Sequence, residues 1–398
     1  MLLKRDIEKT LKRYNDFPVI AVLGPRQSGK TTLVKKYFRN HAFISFEDPA
    51  IREFATTDPR GFLREYQNDY GIILDEFQYV PQILSYIQLE VDEKNRPSYF
   101  VLTGSQNFLM NQAITQSLAG RVGILTLLPF SIHELSSNNL LSEDVFEYII
   151  KGSYPRVYTS HLASEDLYTS YIHTYVERDV RLLINVGDLK TFQKFLTLCA
   201  GRIGQLLNLT DIAISCGISS PTAAKWLSVL EASYIVFLLP PYFKNFNKRV
   251  VKTPKMYFYD TGLICNLLNM NSISAVSSSI FRGPLFENLI ISDFYKQFYN
   301  KGIRPSIYFW RDTNDRIEVD CLIHKAEELI PIEMKASETI SSGFFSAMLK
   351  WNEISGVSID NNYVTYAGNL NQKRSHGHII SWRSAGNLVD KIFLSDSQ

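Results

Sequence analysis

The stretch FPVIAVLGPRQSGKTTLVKKYF, residues 17–38, joins an apolar run to a glycine-bounded loop and then to a helical pattern. The apolar residues 19–23 predict a buried strand, and the residues after the loop predict a helix. Glycines let backbone N–H groups close around phosphate oxygens, and the start of a helix adds positive potential there. The stretch therefore predicts a strand, a loop and a helix that together bind a phosphate group.

The loop is a full match to the phosphate-binding loop (P-loop) pattern G-x-x-x-x-G-K-T. In this pattern Lys30 reaches the β- and γ-phosphates of a nucleotide, and the hydroxyl of Thr31 is a ligand of Mg²⁺. We therefore expect ATP and Mg²⁺ as cofactors. The residues predicted to bind the nucleotide are Gly24, Pro25, Arg26, Gln27, Ser28, Gly29, Lys30, Thr31 and Thr32.

A second apolar run, in YGIILDEFQYVP at residues 70–81, ends in two acids. Asp75 is predicted to hold the metal at the end of a buried strand, and Glu76 to polarise the attacking water. Acids at strand ends are common, so the prediction depends on the P-loop that precedes them. Together the two motifs predict nucleotide hydrolysis with Glu76 as the catalytic residue.

A third run, SYFVLTGSQNFL at residues 98–109, ends in polar residues. Ser105 and Gln106 are predicted to sense the γ-phosphate or its water, and the alternative is a helix cap with Ser105 or Asn107 at the N-cap. Arg121 precedes the next apolar strand. It is predicted to sense the γ-phosphate, either in its own chain or across the interface of a homo-oligomer, and the alternative is a plain surface arginine.

The middle of the chain predicts a helix-turn-helix. In LTDIAISCGISSPTAAKWLSVLEA, residues 209–232, a first helix begins at Thr210, a turn follows at 216–217, and a second helix runs to Leu230 after a cap at Ser219 or Ser220. The next residues predict a hairpin wing with a basic surface for DNA phosphates. Winged helices also serve as protein interfaces or ATPase lids, and that alternative stays open. The wing cations are Lys244, Lys248, Arg249, Lys252 and Lys255, and the predicted DNA contacts are Lys225, Lys248, Arg249 and Lys252.

The order of these motifs resembles the AAA+/STAND-like ATPases. Specifically, it resembles the bacterial and archaeal family in which an AAA domain precedes a C-terminal domain of unknown function, DUF4143. The stretches that carry the resemblance are GPRQSGKTT, LDEFQ, LTGSQ, SLAGRV, GSYPRVY, YVERDV and YFYDTGL. The resemblance implies a parallel sheet in which the strand of Thr103 lies between the strands of the P-loop and Asp75. It also implies hydrolysis at Glu76.

The C-terminal part predicts a cluster of carboxylates. An amphipathic helix carries Glu287, and two strands joined by a polar turn at 324–328 follow it. Side chains alternate along a strand, so Glu333 and Lys335 share a face, and a closed hairpin brings Asp320 level with them. Two carboxylates and a lysine at one strand end predict a Mg²⁺ site with a group that activates water beside a phosphodiester.

This arrangement resembles the PD-(D/E)xK nuclease superfamily, although Val319 stands where the usual proline precedes the aspartate. The resemblance implies that Glu287, Asp320 and Glu333 are metal ligands and that Lys335 is the catalytic lysine. Nuclease folds are also reused as inert DNA-binding modules. DNA cleavage and DNA binding without cleavage therefore both remain open, as does a third function, an ATPase that acts on a protein partner.

The whole chain has 398 residues and a net charge of +2, which by itself argues for no partner. No apolar run is long enough to span a bilayer, so we expect a cytoplasmic protein. The expected partner is DNA, and a protein partner or a second copy of the chain stays open. The expected fold is α/β with a P-loop NTPase (AAA+-like) parallel sheet, a helical and winged-helix middle, and a restriction-endonuclease-like C-terminal domain. The expected domains are 1–135 (ATPase), 136–200 (helical connector), 201–262 (winged helix-turn-helix) and 263–398 (nuclease-like).

Overall fold

The computed structural model describes residues 3–105, 114, 117–176, 189–243, 250–314 and 317–394. The chain divides into two compact units. The first unit comprises Met1–Pro129 and two later segments, Ala232–Tyr234 and Tyr299–Ile303. The second unit comprises Phe130–Glu231, Ile235–Phe298 and Arg304–Gln398.

The described part of the first unit contains a parallel sheet of five strands in the order β2-β3-β4-β1-β5. The strand that carries Thr103 lies between the strands of the P-loop and Asp75, as the family resemblance implied. This arrangement is that of a P-loop NTPase, and the expected α/β fold class is confirmed. The strands are β1 Val19–Gly24, β2 Ala42–Ser45, β3 Ile72–Asp75, β4 Phe100–Ser105 and β5 Val122–Thr126.

Helices cover both faces of this sheet. Along β1, Val19, Ala21 and Leu23 pack in one apolar cluster, while Ile20 and Val22 pack in another. Burial on both faces explains why the strand reads as a continuous apolar run rather than an alternating one. The helices are α1 Ile7–Arg13, α2 Lys30–Tyr37, α3 Pro49–Thr57, α4 Pro59–Glu65 and α5 Ile83–Lys94, with a short 3₁₀ helix at Phe77–Tyr79.

The two later segments of the first unit bond to its sheet and to its first helix. The hydroxyls of Tyr234 and Thr126, at the end of β5, lie 3.3 Å apart. Thr10 of α1 donates a hydrogen bond of 2.7 Å to the carbonyl of Asn300, and Arg13 donates one of 2.5 Å to the carbonyl of Lys301. The first unit is therefore completed by residues that lie far along the chain.

The second unit begins with a helical region that contains the predicted helix-turn-helix. Gly217 ends its first helix with φ of 73°, in the left-handed region where glycine is favoured. Ser219 caps the second helix by accepting a hydrogen bond from the N–H of Thr222. The helices are α6 Ile132–Ser137, α7 Val145–Lys151, α8 Pro155–Thr159, α9 Ser164–Tyr171, α10 Leu189–Ala200, α11 Leu209–Cys216 and α12 Ser220–Ala232, with a π-helical segment at Ile172–Val176.

An antiparallel strand pair follows, and then a mixed sheet. The pair is β6 Val236–Leu239 with β7 Lys255–Phe258, which are the strands of the predicted hairpin. The described residues of the mixed sheet form six strands in the order β12-β13-β11-β10-β9-β8. These strands are β8 Ile307–Arg311, β9 Glu318–Lys325, β10 Glu328–Lys335, β11 Tyr363–Tyr366, β12 Gln372–Arg374 and β13 Gly377–Ser381.

The described residues of the second unit contain further α-helices. They are α13 Thr261–Leu267, α14 Ile273–Ser277, α15 Arg282–Asn300, α16 Ser346–Ser355, α17 Trp382–Ala385 and α18 Leu388–Leu394. In the antiparallel pair of β9 and β10, Ile332 lies opposite Cys321, which fixes the register of the predicted carboxylates. Across the described ranges, no helix combines the length and the apolar character that crossing a membrane requires.

Candidate functional site

Two glycines give the P-loop its shape. Gly24 ends β1 with φ of 150°, and a Cβ at this position would lie 2.1 Å from the carbonyl oxygen of Leu127. Gly29 stands at the start of α2 with φ of 94°. Both backbone conformations are costly for residues with a side chain. The pattern found in the sequence therefore has a steric basis in this chain.

The lysine of the loop is buried and held by the loop itself. Lys30 is 5% exposed, and its ammonium donates hydrogen bonds to the carbonyls of Gly24 (3.0 Å) and Pro25 (2.7 Å). The Ser28 hydroxyl is also buried, and within the described residues it has no hydrogen-bond partner. A buried donor without a partner is rare and costly, and a phosphate oxygen is a suitable acceptor for it. The loop therefore fits a nucleotide phosphate.

The acid at the end of β3 meets three hydroxyl groups. Asp75 is 5% exposed and accepts hydrogen bonds from Thr31 (2.8 Å), Ser45 (3.4 Å) and Thr103. Thr31 and Asp75 thus offer adjacent oxygen ligands, which is the donor set that Mg²⁺ prefers. The structure brings together the two residues that the sequence assigned to the metal of the nucleotide site.

Glu76 lies beside this pair and is held by a residue to which the sequence analysis gave no role. The side-chain amide of Gln78 donates hydrogen bonds to the carboxylate of Glu76 and to the hydroxyl of Ser105, the latter at 3.1 Å. Glu76 has φ of 56°, a left-handed conformation that costs energy in a residue other than glycine. A Cβ on Gly104 would lie 2.6 Å from the Gln78 amide oxygen, so the glycine leaves room for that side chain in its present position.

Two further residues, Arg5 and Gln106, bear on the nucleotide site. Arg5, which belongs to none of the predicted motifs, donates hydrogen bonds to the carbonyls of Ser28 (2.9 Å) and Leu128 (2.6 Å) and so anchors the P-loop. No local pattern could have revealed it, because its partners lie far along the chain. Gln106, the second predicted sensor, lies outside the described residues.

The prediction for Arg121 is wrong for the nucleotide of its own chain. Arg121 pairs with Asp92 at 2.5 and 3.0 Å. Its carbonyl accepts the hydrogen bond of Val19 N–H, at the opposite end of β1 from Gly24. Strands rise about 3.3 Å per residue, so the length of β1 separates Arg121 from the P-loop. A role across the interface of a homo-oligomer stays a prediction.

Only part of the predicted basic surface of the helix-turn-helix region lies in the described residues. Lys225 on α12 and Lys252 before β7 are exposed. Lys248 and Arg249 lie outside the described residues, as does Lys244. The prediction that Lys255 belongs to this basic surface is wrong, because the residue is 2% exposed and cannot contact DNA phosphates from that position.

The predicted carboxylate cluster forms on one face of the β9–β10 pair. The Lys335 ammonium lies 2.6 Å from Glu333 Oε2, so these side chains share a face as predicted. The Asp320 carboxylate accepts a hydrogen bond of 2.9 Å from the N–H of Met334. Burial and the neighbouring Asp320 raise the pKa of Glu333 to about 8, against the opposing effect of Lys335. Glu333 Oε1 is buried and, within the described part of the chain, has no hydrogen-bond partner.

Glu287 does not join the other two carboxylates as a metal ligand. Its Oε1 lies 3.1 Å from the Lys255 ammonium and 2.5 Å from the Tyr257 hydroxyl, and Lys255 also lies 2.5 Å from Glu318. Burial works against the charge of Lys255, but Glu287, Glu318 and Asp320 outweigh it and raise the pKa of this lysine. Lys255 therefore stays protonated in the folded protein.

The predicted metal site of three carboxylates is therefore not formed by the described residues. No group of three or more His, Cys, Asp and Glu side chains in the described residues is arranged to hold a metal ion. The resident metal that the nuclease resemblance implies does not fit the cluster, because the charge of Glu287 is already neutralised by Lys255. The missed signal was the alternation of β7, which puts Lys255 and Tyr257 on one face toward Glu287.

Three successive parts of the chain match known family models. Residues 16–136 match an AAA domain, residues 142–274 match a domain of unknown function, DUF8612, and residues 282–385 match another, DUF4143. An AAA domain and a DUF4143 domain are found in this chain. Two uncharacterised proteins, from Mycobacterium bovis and Mycobacterium tuberculosis, are each 27% identical to it over 355 residues, covering 87% of this chain and 77% of theirs.

Solved structures of three further proteins align with parts of this chain. A Walker-type ATPase of Pyrococcus abyssi is 16% identical, with a TM-score of 0.43, over 67% of this chain and 96% of its own. A RuvB variant of Thermotoga maritima is 15% identical, with a TM-score of 0.31, over 59% and 86%. A signal-transduction ATPase with a tetratricopeptide repeat sensor from Pyrococcus horikoshii is 12% identical, with a TM-score of 0.23, over 76% and 48%.

Proposed function

We propose that the chain is an ATPase whose nucleotide state controls DNA binding by the helix-turn-helix. The AAA-type P-loop fold supports ATP binding and hydrolysis. The observation that carries the coupling is the contact of Tyr234 with Thr126. Residues 232–234 follow the second helix of the helix-turn-helix directly, yet they belong to the unit that holds the P-loop.

In this proposal each side chain of the nucleotide site has a distinct role. Lys30 binds the phosphates, while Thr31 and Asp75 hold Mg²⁺, which when bound neutralises charge that develops on the phosphates. Glu76 accepts a proton from the attacking water or orients it. Gln78 fixes the position of Glu76 through its bonds to that carboxylate and to the Ser105 hydroxyl.

The coupling follows a short series of contacts. Thr126 lies opposite Leu23 in the register of β5 and β1, and the next residue, Leu127, donates its N–H to the Leu23 carbonyl at 2.7 Å. The Leu127 carbonyl packs directly against Gly24 of the P-loop. Tyr234 has φ of 56°, a strained conformation that persists only where its surroundings hold it. A displacement of the P-loop therefore has a direct route to the end of α12.

The exposed face of α12 supports DNA as the partner. Its exposed residues include Pro221, Ala224, Lys225 and Ser228. Short side chains allow a helix to approach the base edges in the major groove, and the lysine neutralises phosphate charge. The ion pairs of the carboxylate cluster favour a C-terminal domain that does not cleave the DNA it accompanies.

The test compares the affinity for duplex DNA in the ATP and ADP states, measured by fluorescence anisotropy with Glu76→Gln to prevent turnover. We expect the two affinities to differ by about 5- to 150-fold. Tyr234→Phe should reduce this difference, whereas Tyr70→Phe, at an exposed tyrosine of the same unit, should not. ATP affinity measured in parallel separates lost coupling from a damaged nucleotide site.

Equal DNA affinity in the two states, with ATP binding intact, would contradict the coupling. If DNA does not bind at all and a protein partner stimulates ATP turnover instead, the alternative of an ATPase that acts on proteins replaces the DNA proposal.

A further inference from the structure

A lysine from outside the nuclease-like motif reaches into the carboxylate cluster. Lys255 begins β7, and its side chain is 3% exposed. It shares a face of β7 with Tyr257, and both side chains contact the same oxygen of Glu287. Its ammonium lies 5.3 Å from the centre of the Phe309 ring, which covers it on another side.

The position of this ammonium relates it to the predicted metal ligands. It lies 3.1 Å from Glu287 and 2.5 Å from Glu318. Glu318 and Asp320 are two residues apart on β9, so they point to the same face of the sheet. Asp320 in turn accepts a hydrogen bond of 2.9 Å from the N–H of Met334, the residue that follows Glu333 on the neighbouring strand β10. The lysine therefore stands among the carboxylates that a divalent cation would need.

We propose that Lys255 is the permanent internal cation of this cluster and excludes a divalent metal from it. A hard divalent cation requires about six oxygen ligands at roughly 2.1 Å, and it would repel an ammonium bound to the same carboxylate. Lys255 cannot easily withdraw, because its departure would leave the half-buried Glu287 without a positive charge beside it.

The proposal assigns different consequences to the two lysines of the cluster. Lys335 pairs with Glu333, which belongs to its own strand, whereas Lys255 joins two other elements, α15 and β9. Removing the charge of Lys255 should free Glu287 to act with Asp320 and with the unpartnered oxygen of Glu333. The cluster would then acquire the ability to bind a metal.

The experiment counts Mn²⁺ bound to the full-length protein without nucleotide, by the electron paramagnetic resonance signal of free Mn²⁺. The wild type should bind no Mn²⁺ that depends on Asp320, so its titration should match that of Asp320→Asn. Lys255→Met should gain one bound Mn²⁺, and Lys255→Met combined with Asp320→Asn should lose it again. Lys350→Met, at an exposed lysine of the same unit, should behave as the wild type.

A wild type that binds Mn²⁺, with loss of that ion in Asp320→Asn, would overturn the proposal. The proposal also fails if Lys255→Met folds with a normal circular dichroism spectrum and gains no metal. Should Lys255→Met fail to fold, the comparison of wild type with Asp320→Asn still tests whether the cluster is closed to metal. These readouts involve neither ATP nor DNA, so they are independent of the proposed switch.

Discussion

The nucleotide site and the carboxylate cluster contain similar residues, but their acids have different partners. Both place acids and lysines where strands end or pair. At the nucleotide site, the hydrogen bonds that Asp75 accepts come from the hydroxyls of Thr31, Ser45 and Thr103, which carry no charge. In the cluster, Glu287 and Glu333 are bonded to the ammonium groups of Lys255 and Lys335.

The difference lies in the partners of the acids rather than in the acids themselves. A carboxylate bonded to hydroxyls keeps its negative charge available for a cation, whereas one paired with a buried lysine has that charge neutralised. The nucleotide site is thus prepared for a ligand, and the cluster supplies its own counterions. Three experiments on these two sites test this contrast, and a fourth tests the basic surface of the helix-turn-helix region.

The largest expected effect is on hydrolysis. Glu76→Gln should slow ATP turnover by about 10²- to 10⁴-fold, because it removes the group that accepts the proton, while ATP affinity stays near its original value. Turnover is measured as released phosphate and affinity by calorimetry. Glu53→Gln, at an exposed glutamate of the same unit, is the control. Turnover that survives Glu76→Gln would remove this residue from the chemistry.

The next effect is on folding stability. Lys255→Met should lower the stability of the second unit by at most about 3 to 5 kcal/mol, the cost of breaking a fully buried pair, because it leaves the half-buried Glu287 without its counterion. Adding Glu287→Gln should recover much of this loss, since the charge that needed compensation is then gone. Thermal denaturation of both variants checks this. If the double variant is no more stable than the single one, the lysine stabilises through packing alone.

ATP affinity is the third measure. Lys30→Ala should weaken ATP binding by about 100-fold, which corresponds to roughly 3 kcal/mol for a lost charge-assisted contact with the phosphates. Lys35→Ala, at an exposed lysine on the same helix, should leave the affinity unchanged. An unchanged affinity in Lys30→Ala would count decisively against the P-loop assignment.

The smallest expected effect is on the salt dependence of DNA binding. Replacing Lys225 and Lys252 by alanine should weaken binding equally for all sequences, and it should reduce the slope of log K against log salt by about 0.9 for each lost phosphate contact. Binding is measured at several salt concentrations. A slope that does not change would assign this surface to protein contacts.

The sequence predicts local elements well and their distant partners poorly. The strands of the P-loop and Asp75, the helix-turn-helix and the shared face of Glu333 and Lys335 follow from periodicity, because it acts within a few residues. The place of the Thr103 strand between the strands of the P-loop and Asp75 followed from the family resemblance. What was missed depends on tertiary packing: Gln78 bridges two strands, Arg5 reaches Leu128, and Lys255 turns away from the surface.

The wrong prediction for Arg121 has the same cause, because it too depends on how distant parts of the chain pair. Its position before an apolar strand was predicted correctly, but a strand has two ends, and the pattern alone does not say which lies near the loop. The parallel pairing of β5 with β1 puts Arg121 beside Val19 and not beside Gly24. Register is a property of two strands together, so it cannot be obtained from either one.

The two later segments of the first unit affect how this unit can fold during its synthesis on the ribosome. Thr10 and Arg13 bond to residues 300 and 301, which belong to the segment Tyr299–Ile303. At synthesis rates of about 5 to 20 residues per second, that segment appears roughly 10 to 35 seconds after Pro129. During this interval the nascent chain holds an incomplete ATPase unit whose first helix lacks its final partner. Vectorial synthesis therefore delivers the P-loop early and the finished unit late, a window in which chaperones can act.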